Sequence, residues 1–154
     1  MKLNWGLEKA NLIKEDKQKN AYVFDLTNSL KYKTESFGLF TLDTSYNKEI
    51  EIYEQRTDVS KESFEIGLEN SLALPYKFNL NTNINSKKVI YRDTDVNFLS
   101  RRVDKINSAS IGITRPLRKN LLFALKATAT NNMSNQEPFD YKKQVIKSSL
   151  IYTF

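Results

Sequence analysis

Seven stretches of this chain alternate residue by residue between an oily set and a wet set, and the oily set carries no charge. Residues 22–32 read YVFDLTNSLKY, with Tyr22, Phe24, Leu26, Asn28, Leu30 and Tyr32 on one face and Val23, Asp25, Thr27, Ser29 and Lys31 on the other. A period of two belongs to a β-strand with unlike faces, not to a helix. The same habit recurs over 38–46, 64–74, 78–84, 107–113, 121–129 and 146–154. Across these segments 35 oily-face positions include no Asp, Glu, Lys or Arg, whereas 28 interleaved positions include seven. With 27% of the chain charged, the oily faces are selectively cleared of charge. An eighth strand near 3–13 (Leu3, Trp5, Leu7) is weaker, because Lys9 falls on its oily face.

The connections predict how these strands are joined. Thr34-Glu35, Pro75-Tyr76 and 115–120 read as tight turns, whereas 14–20, 54–62, 91–103 and 132–143 are longer and polar. Short turns at one end and longer loops at the other are the pattern of an up-and-down membrane barrel. Oily stretches of about 9–11 residues match a tilted bilayer-crossing strand. The expected fold is therefore all-β: an antiparallel up-and-down transmembrane β-barrel of about eight strands, or the C-terminal half of a larger barrel. Residues 1–154 form one such domain, either whole or as the distal part of a longer protein. A mean hydropathy of −0.55 does not count against this, since membrane strands escape a hydropathy window.

Alternation alone does not say which face is inside. A soluble up-and-down β-barrel binding a small apolar ligand would carry its oily face inward. Asn28 and Asn70, both on the oily face, favour that alternative because they are costly in lipid. The membrane reading makes Leu26, Leu68, Phe123 and Leu150 lipid-facing, and makes Asp25, Lys31, Glu65, Glu69, Lys126 and Lys147 lumen-facing. In a narrow lumen those acids and lysines are expected to neutralise one another. Asn79, Asn81, Asn83 and Asn85 add an uncharged ladder on the same side.

Little catalytic chemistry survives the composition. Cys and His are absent, which removes disulfides, thiolate nucleophiles, Cys/His zinc sites and Ser-His triads. Glu65 and Glu69 share a face at a spacing of roughly 13 Å, too wide for a glycosidase pair. Asp93, Asp95 and Asp104 have oxygen ligands to offer a cation, but no Gly stands among them and Lys/Arg neighbours oppose it. No enzyme activity, cofactor or metal is expected. A formal charge of +6 suggests nucleic acid, yet the positive residues are scattered over turns and loops. Arg92, Arg101, Arg102 and Lys105 are equally suited to lipopolysaccharide phosphate. Tyr22, Tyr46 and Phe64 at the loop side, with Tyr32, Phe78, Tyr152 and Phe154 at the turn side, suit two interfacial girdles.

The ending SSLIYTF, with Leu150, Tyr152 and terminal Phe154 on one face, resembles the assembly signal of outer-membrane proteins. That resemblance implies the barrel assembly machinery as a partner, pairing with the last strand by β-augmentation. The last third is similar to two bacterial families in more detail. Arg101-Arg102-Val103-Asp104, Pro116, NNMSNQEPFDY (131–141) and SSLIYTF (148–154) resemble the closing hairpins of surface lipoprotein assembly modifiers, and of outer-membrane barrels linked to exopolysaccharide export. The match spans roughly 92–154. It implies the outer membrane of a Gram-negative bacterium, contact with outer-membrane lipid and lipopolysaccharide, and a surface lipoprotein or polysaccharide as cargo. The modifier family carries a 14-stranded barrel after a helical repeat domain that this sequence lacks. The opening Met1–Glu8 has no signal-peptide apolar region, so an export signal is expected upstream.

Overall fold

A computed structural model describes residues 2–10, 21–52 and 60–153. Eight strands follow one another: β1 (Lys2–Ala10), β2 (Ala21–Thr34), β3 (Gly38–Glu51), β4 (Lys61–Leu74), β5 (Phe78–Asp95), β6 (Ser100–Arg118), β7 (Leu121–Ser134) and β8 (Tyr141–Tyr152). They lie in one sheet in chain order, each antiparallel to its sequence neighbour. Among the described residues no ladder joins β1 to β8, so the sheet is open. The all-β, up-and-down, antiparallel reading thus matches the structure, which among the described residues is an open sheet.

The register keeps every oily set on one face. Leu26 lies opposite Tyr46, Leu42 opposite Leu68, Leu72 opposite Leu80, Ile84 opposite Ala109, and Phe123 opposite Leu150. A one-residue slip anywhere would throw these side chains among the charges, and this pins the pairing. The tight turns match chain chemistry. Gly38 has φ +78° where β3 begins, and a Cβ there would fall on the Ser71 carbonyl. Pro75 opens the three-residue β4–β5 turn, in which Tyr76 and Lys77 take positive φ and the Phe78 amide donates back to the Pro75 carbonyl.

Two expected long loops are largely strand. The pairing of β5 with β6 continues past 91 through Thr94–Arg101 and Asp95–Ser100, across an irregularity between Ile90 and Thr94. Only 96–99 separate the two strands. Likewise β7 runs to Ser134, leaving 135–140 as the connection to β8. The expected turn at 115–120 also shrinks, since β6 reaches Arg118. These stretches are mostly polar, with Tyr91, Val103, Leu117 and Met133 as isolated apolar residues, so they lack the sustained alternation that marks strands elsewhere. Their ladder hydrogen bonds form regardless. The 54–62 loop narrows because Lys61 and Glu62 pair with Tyr91 and Ile90. The 14–20 loop lies outside the described residues.

Candidate functional site

The direction in which the sheet curves follows from its cavities. One of about 460 Å³ is lined by Lys31 of β2, Thr41 of β3, Glu69 of β4, Asn81 and Asn83 of β5, Ser110 and Thr114 of β6, and Lys126 of β7. A cavity shared by six successive strands exists only on a concave face, and those residues are the wet set. The oily set therefore lies on the convex face. There Leu26 is 38% exposed, Leu68 46% and Leu150 66%, with Phe123 half-buried. The apolar core is correspondingly small. Ala21 and Val89 are the buried hydrophobics among the described residues, and the fully buried side chains of greatest volume are polar: Gln136, Asp104 and Ser60. Ordinary globular burial is inverted here.

The concave wall satisfies its acids locally. Glu65 accepts a hydrogen bond of 2.6 Å from Asn85 and lies 3.5 Å from the Lys87 ammonium; Glu69 accepts one of 3.1 Å from Asn83. Asp25 accepts from Asn47 at 2.6 Å, directly across the β2–β3 ladder. The asparagine ladder of β5 is thus a set of donors for the carboxylates of β4. The expected neutralisation of Asp25, Glu65 and Glu69 by Lys31, Lys126 and Lys147 does not occur. Those lysines make no ion pair with another described residue. Cross-strand neighbours reach the acids first, and Lys126 and Lys147 stand opposite each other beside Lys143 along β7 and β8.

At the end carrying the longer connections the concave face is capped. Arg102 forks onto Asp104, Nε lying 2.9 Å and one terminal nitrogen 2.6 Å from Oδ2. Its guanidinium sits 3.5 Å from the Phe139 ring centre and 4.6 Å from that of Tyr91. Asp104 is 2% exposed. The β7–β8 connection folds onto this pair. Asn135 accepts from the Val103 amide (2.7 Å) and donates to the Arg101 carbonyl (2.8 Å), while Gln136 donates to the Ser100 carbonyl (3.0 Å). Asp140 accepts from the Ser134 amide at 2.8 Å, closing the loop on itself. The Arg102-Val103-Asp104 and 131–141 motifs singled out in the sequence are therefore two halves of one structure.

This arrangement places the residues that stand out in the sequence. Asp104 is committed to Arg102, and no group of three or more metal-ligating side chains occurs among the described residues. Arg102 points inward while Lys105 stands on the convex face, so the basic residues of that region form no single patch. Asn70 is explained: its amide donates to the Phe37 carbonyl at 2.7 Å and so ties down the β2–β3 turn. Asn28 keeps a buried, unpartnered Oδ1. Sequence reasoning missed Lys87, Asn47, Phe139 and Tyr91 as partners, although cross-strand register identifies the first two once the pairing is known. Phe154 lies outside the described residues, and Tyr152 is 56% exposed at the turn end of β8.

The fold and its wall define an inside-out β-meander: an oily convex face, a hydrogen-bonded polar concave face, and a cap at one end. Comparison with protein-family models, curated proteins and solved structures found no match. No helix among the described residues is long and apolar enough to cross a membrane, which says nothing of strands.

Proposed function

We propose that this chain is an integral outer-membrane β-barrel of a Gram-negative bacterium, a non-catalytic pore or accessory for export or assembly of a surface lipoprotein or polysaccharide. The observation that carries this reading is the inverted amphipathicity: over the seven alternating spans the convex face carries aliphatic and aromatic side chains and no charge, its lysines standing beyond them toward the longer connections, whereas charged, amide and hydroxyl groups line the concave face. Water around a soluble barrel would select the reverse. The aromatic rows agree in spacing. Tyr22 and Tyr32 lie ten residues apart on β2, roughly 33 Å along the strand. Tilted by about 40°, that span is about 25 Å high, the apolar band of such barrels. At the turn side Arg115 lies 4.8 Å over the Phe78 ring, an arrangement suited to an interface. The soluble, ligand-holding alternative would need the oily residues inside, where the concave wall has Asn, Thr, Glu and Lys.

Lipid tolerates no unpaired backbone, so β1 and β8 pair with each other or with strands of a longer polypeptide when the protein is inserted. The test is reconstitution of the full protein into vesicles. Expected results are flotation with lipid after alkaline or urea washing, a heat-modifiable band on gels, and stepwise conductance in planar bilayers. Recovery in the aqueous phase as a stable monomer would contradict the reading. The closing strand supports a second expectation, that Tyr152 and Phe154 act as an assembly signal. Deleting Phe154 should lower the amount of folded barrel in the outer membrane severalfold while leaving synthesis unchanged; undiminished insertion would count against the signal.

A further inference from the structure

The convex face is not evenly bulky. Across β5–β8 it sinks into a trough of about 760 Å³, floored by Ala109, Ala127 and Ala129 and walled by Ile84, Ile111 and Ile146. The register produces this shape: Ala109 lies directly opposite Ala129, Ile111 opposite Ala127, and Ile84 opposite Ala109. The two outer walls, Ile84 and Ile146, are 65% and 77% exposed. A second hollow of about 380 Å³ shares Ile84, Ala109, Ala129 and Gln144 with the first and extends it toward the longer connections. There the lining turns polar, through Ser86, Asn107 and Asn131, and ends at Lys142.

One step further along the same face stand Lys88 and Lys105, directly opposite each other across the β5–β6 ladder and both exposed. Like charges placed so are destabilising on their own. Lys88, Lys105 and Lys142 make no ion pair with another described residue. The acids of the concave wall project from the other side of the sheet. An apolar trough that grades through amides into three uncompensated ammonium groups has the polarity profile of a phosphorylated lipid, acyl chain first and phosphate last.

We propose that this trough is a binding site for one lipid A molecule of the outer leaflet. An acyl chain would lie over the alanines, and a phosphate would bridge Lys88 and Lys105 with Lys142 beside it. The inference rests on the membrane reading and goes beyond it by naming the place and the lipid. The leaflet follows from the polarity of the meander. The lysines lie at the end bearing the connections at 11–20 and 52–60, and longer loops face outward in barrels of this class. Among the described residues of β2–β4 at that level, Lys48 of the convex face is already paired with Glu62 at 2.8 Å.

The test uses the full protein in detergent and in vesicles, with lipid A, dephosphorylated lipid A and phosphatidylglycerol as probes. Co-retained lipid is measured by mass spectrometry after washing. Wild type should hold lipid A in preference to both other lipids. The double variant K88Q/K105Q, which alters only exposed side chains, should retain about thirtyfold less lipid A. Ala129→Phe should also lose it by filling the trough with the lysines intact, provided its circular dichroism matches wild type. Equal retention by K88Q/K105Q and wild type would overturn the site, and equal retention of phosphatidylglycerol would overturn the outer-leaflet assignment. A protein that fails to enter vesicles overturns the membrane reading itself, so the two failures are distinct.

Discussion

Leu26→Arg should destabilise the vesicle-inserted protein by about 2–4 kcal/mol, the cost of a cation near the middle of the apolar band. Leu26 sits between the Tyr22 and Tyr32 rows on the convex face and is 38% exposed. In water a side chain already so open would accept Arg with a change of no more than about 0.5 kcal/mol. The magnitude of the effect therefore reports the solvent outside the sheet. Thr128→Arg is the matched control. It is a strand residue of β7 on the concave face, bordering a polar hollow with Lys126 and Lys147. It should cost less than about 1 kcal/mol, set by repulsion from Lys126, Lys143 and Lys147 and not by lipid, because that face is wet in either environment. Urea unfolding of the vesicle-inserted protein gives both numbers, and equal small effects at the two positions would sink the membrane reading.

Arg102→Ala should be the costliest single change at the cap. It strands the Asp104 carboxylate, 2% exposed, without its charge partner, a loss of about 3–5 kcal/mol for a buried pair. It also removes the guanidinium plate between Phe139 and Tyr91. The reverse change, Asp104→Ala, should cost less. The Arg102 side chain retains 20% exposure and can turn its charge toward water, whereas Asp104 has no such outlet. Arg102→Lys should fall between the two, keeping the charge and losing both the fork and the stacking. Denaturant midpoints of the three variants check the order. Equal effects of Arg102→Ala and Asp104→Ala would mean that the pair, and not the stranded acid, sets the loss.

The strands were legible in the sequence where one face is oily, because period-two alternation is a direct consequence of a sheet with unlike faces. It failed where both faces are wet. Arg92, Asp93, Thr94 and Asp95 alternate nothing, yet they extend β5, since ladder hydrogen bonds and the cap suffice to hold them. The concave chemistry was half legible. Alternation puts the acids and lysines on the face opposite the oily set, but their partners depend on register. Asn85 and Lys87 flank Glu65 only because β4 and β5 pair with Gly67 opposite Asn85. Composition offers no route to that offset. The cap shows the opposite case: Arg102-Val103-Asp104 and Asn135 to Asp140 stand out as motifs, but their joint role is visible only once β6 and β7 lie side by side.

In this meander each strand's ladders run only to its neighbours in sequence. A chain wired this way has no distant partner to search for before its hydrogen bonds begin to form. Each completed hairpin exposes the template for the next strand, so order can spread along the polypeptide like a closing zip, at small loop-closure cost per step. The hairpins closed by two to four residues, β2–β3, β4–β5, β5–β6 and β6–β7, are the places for that process to start. Strands would then be added in both directions from them, and the two outermost edges would be the last to find partners.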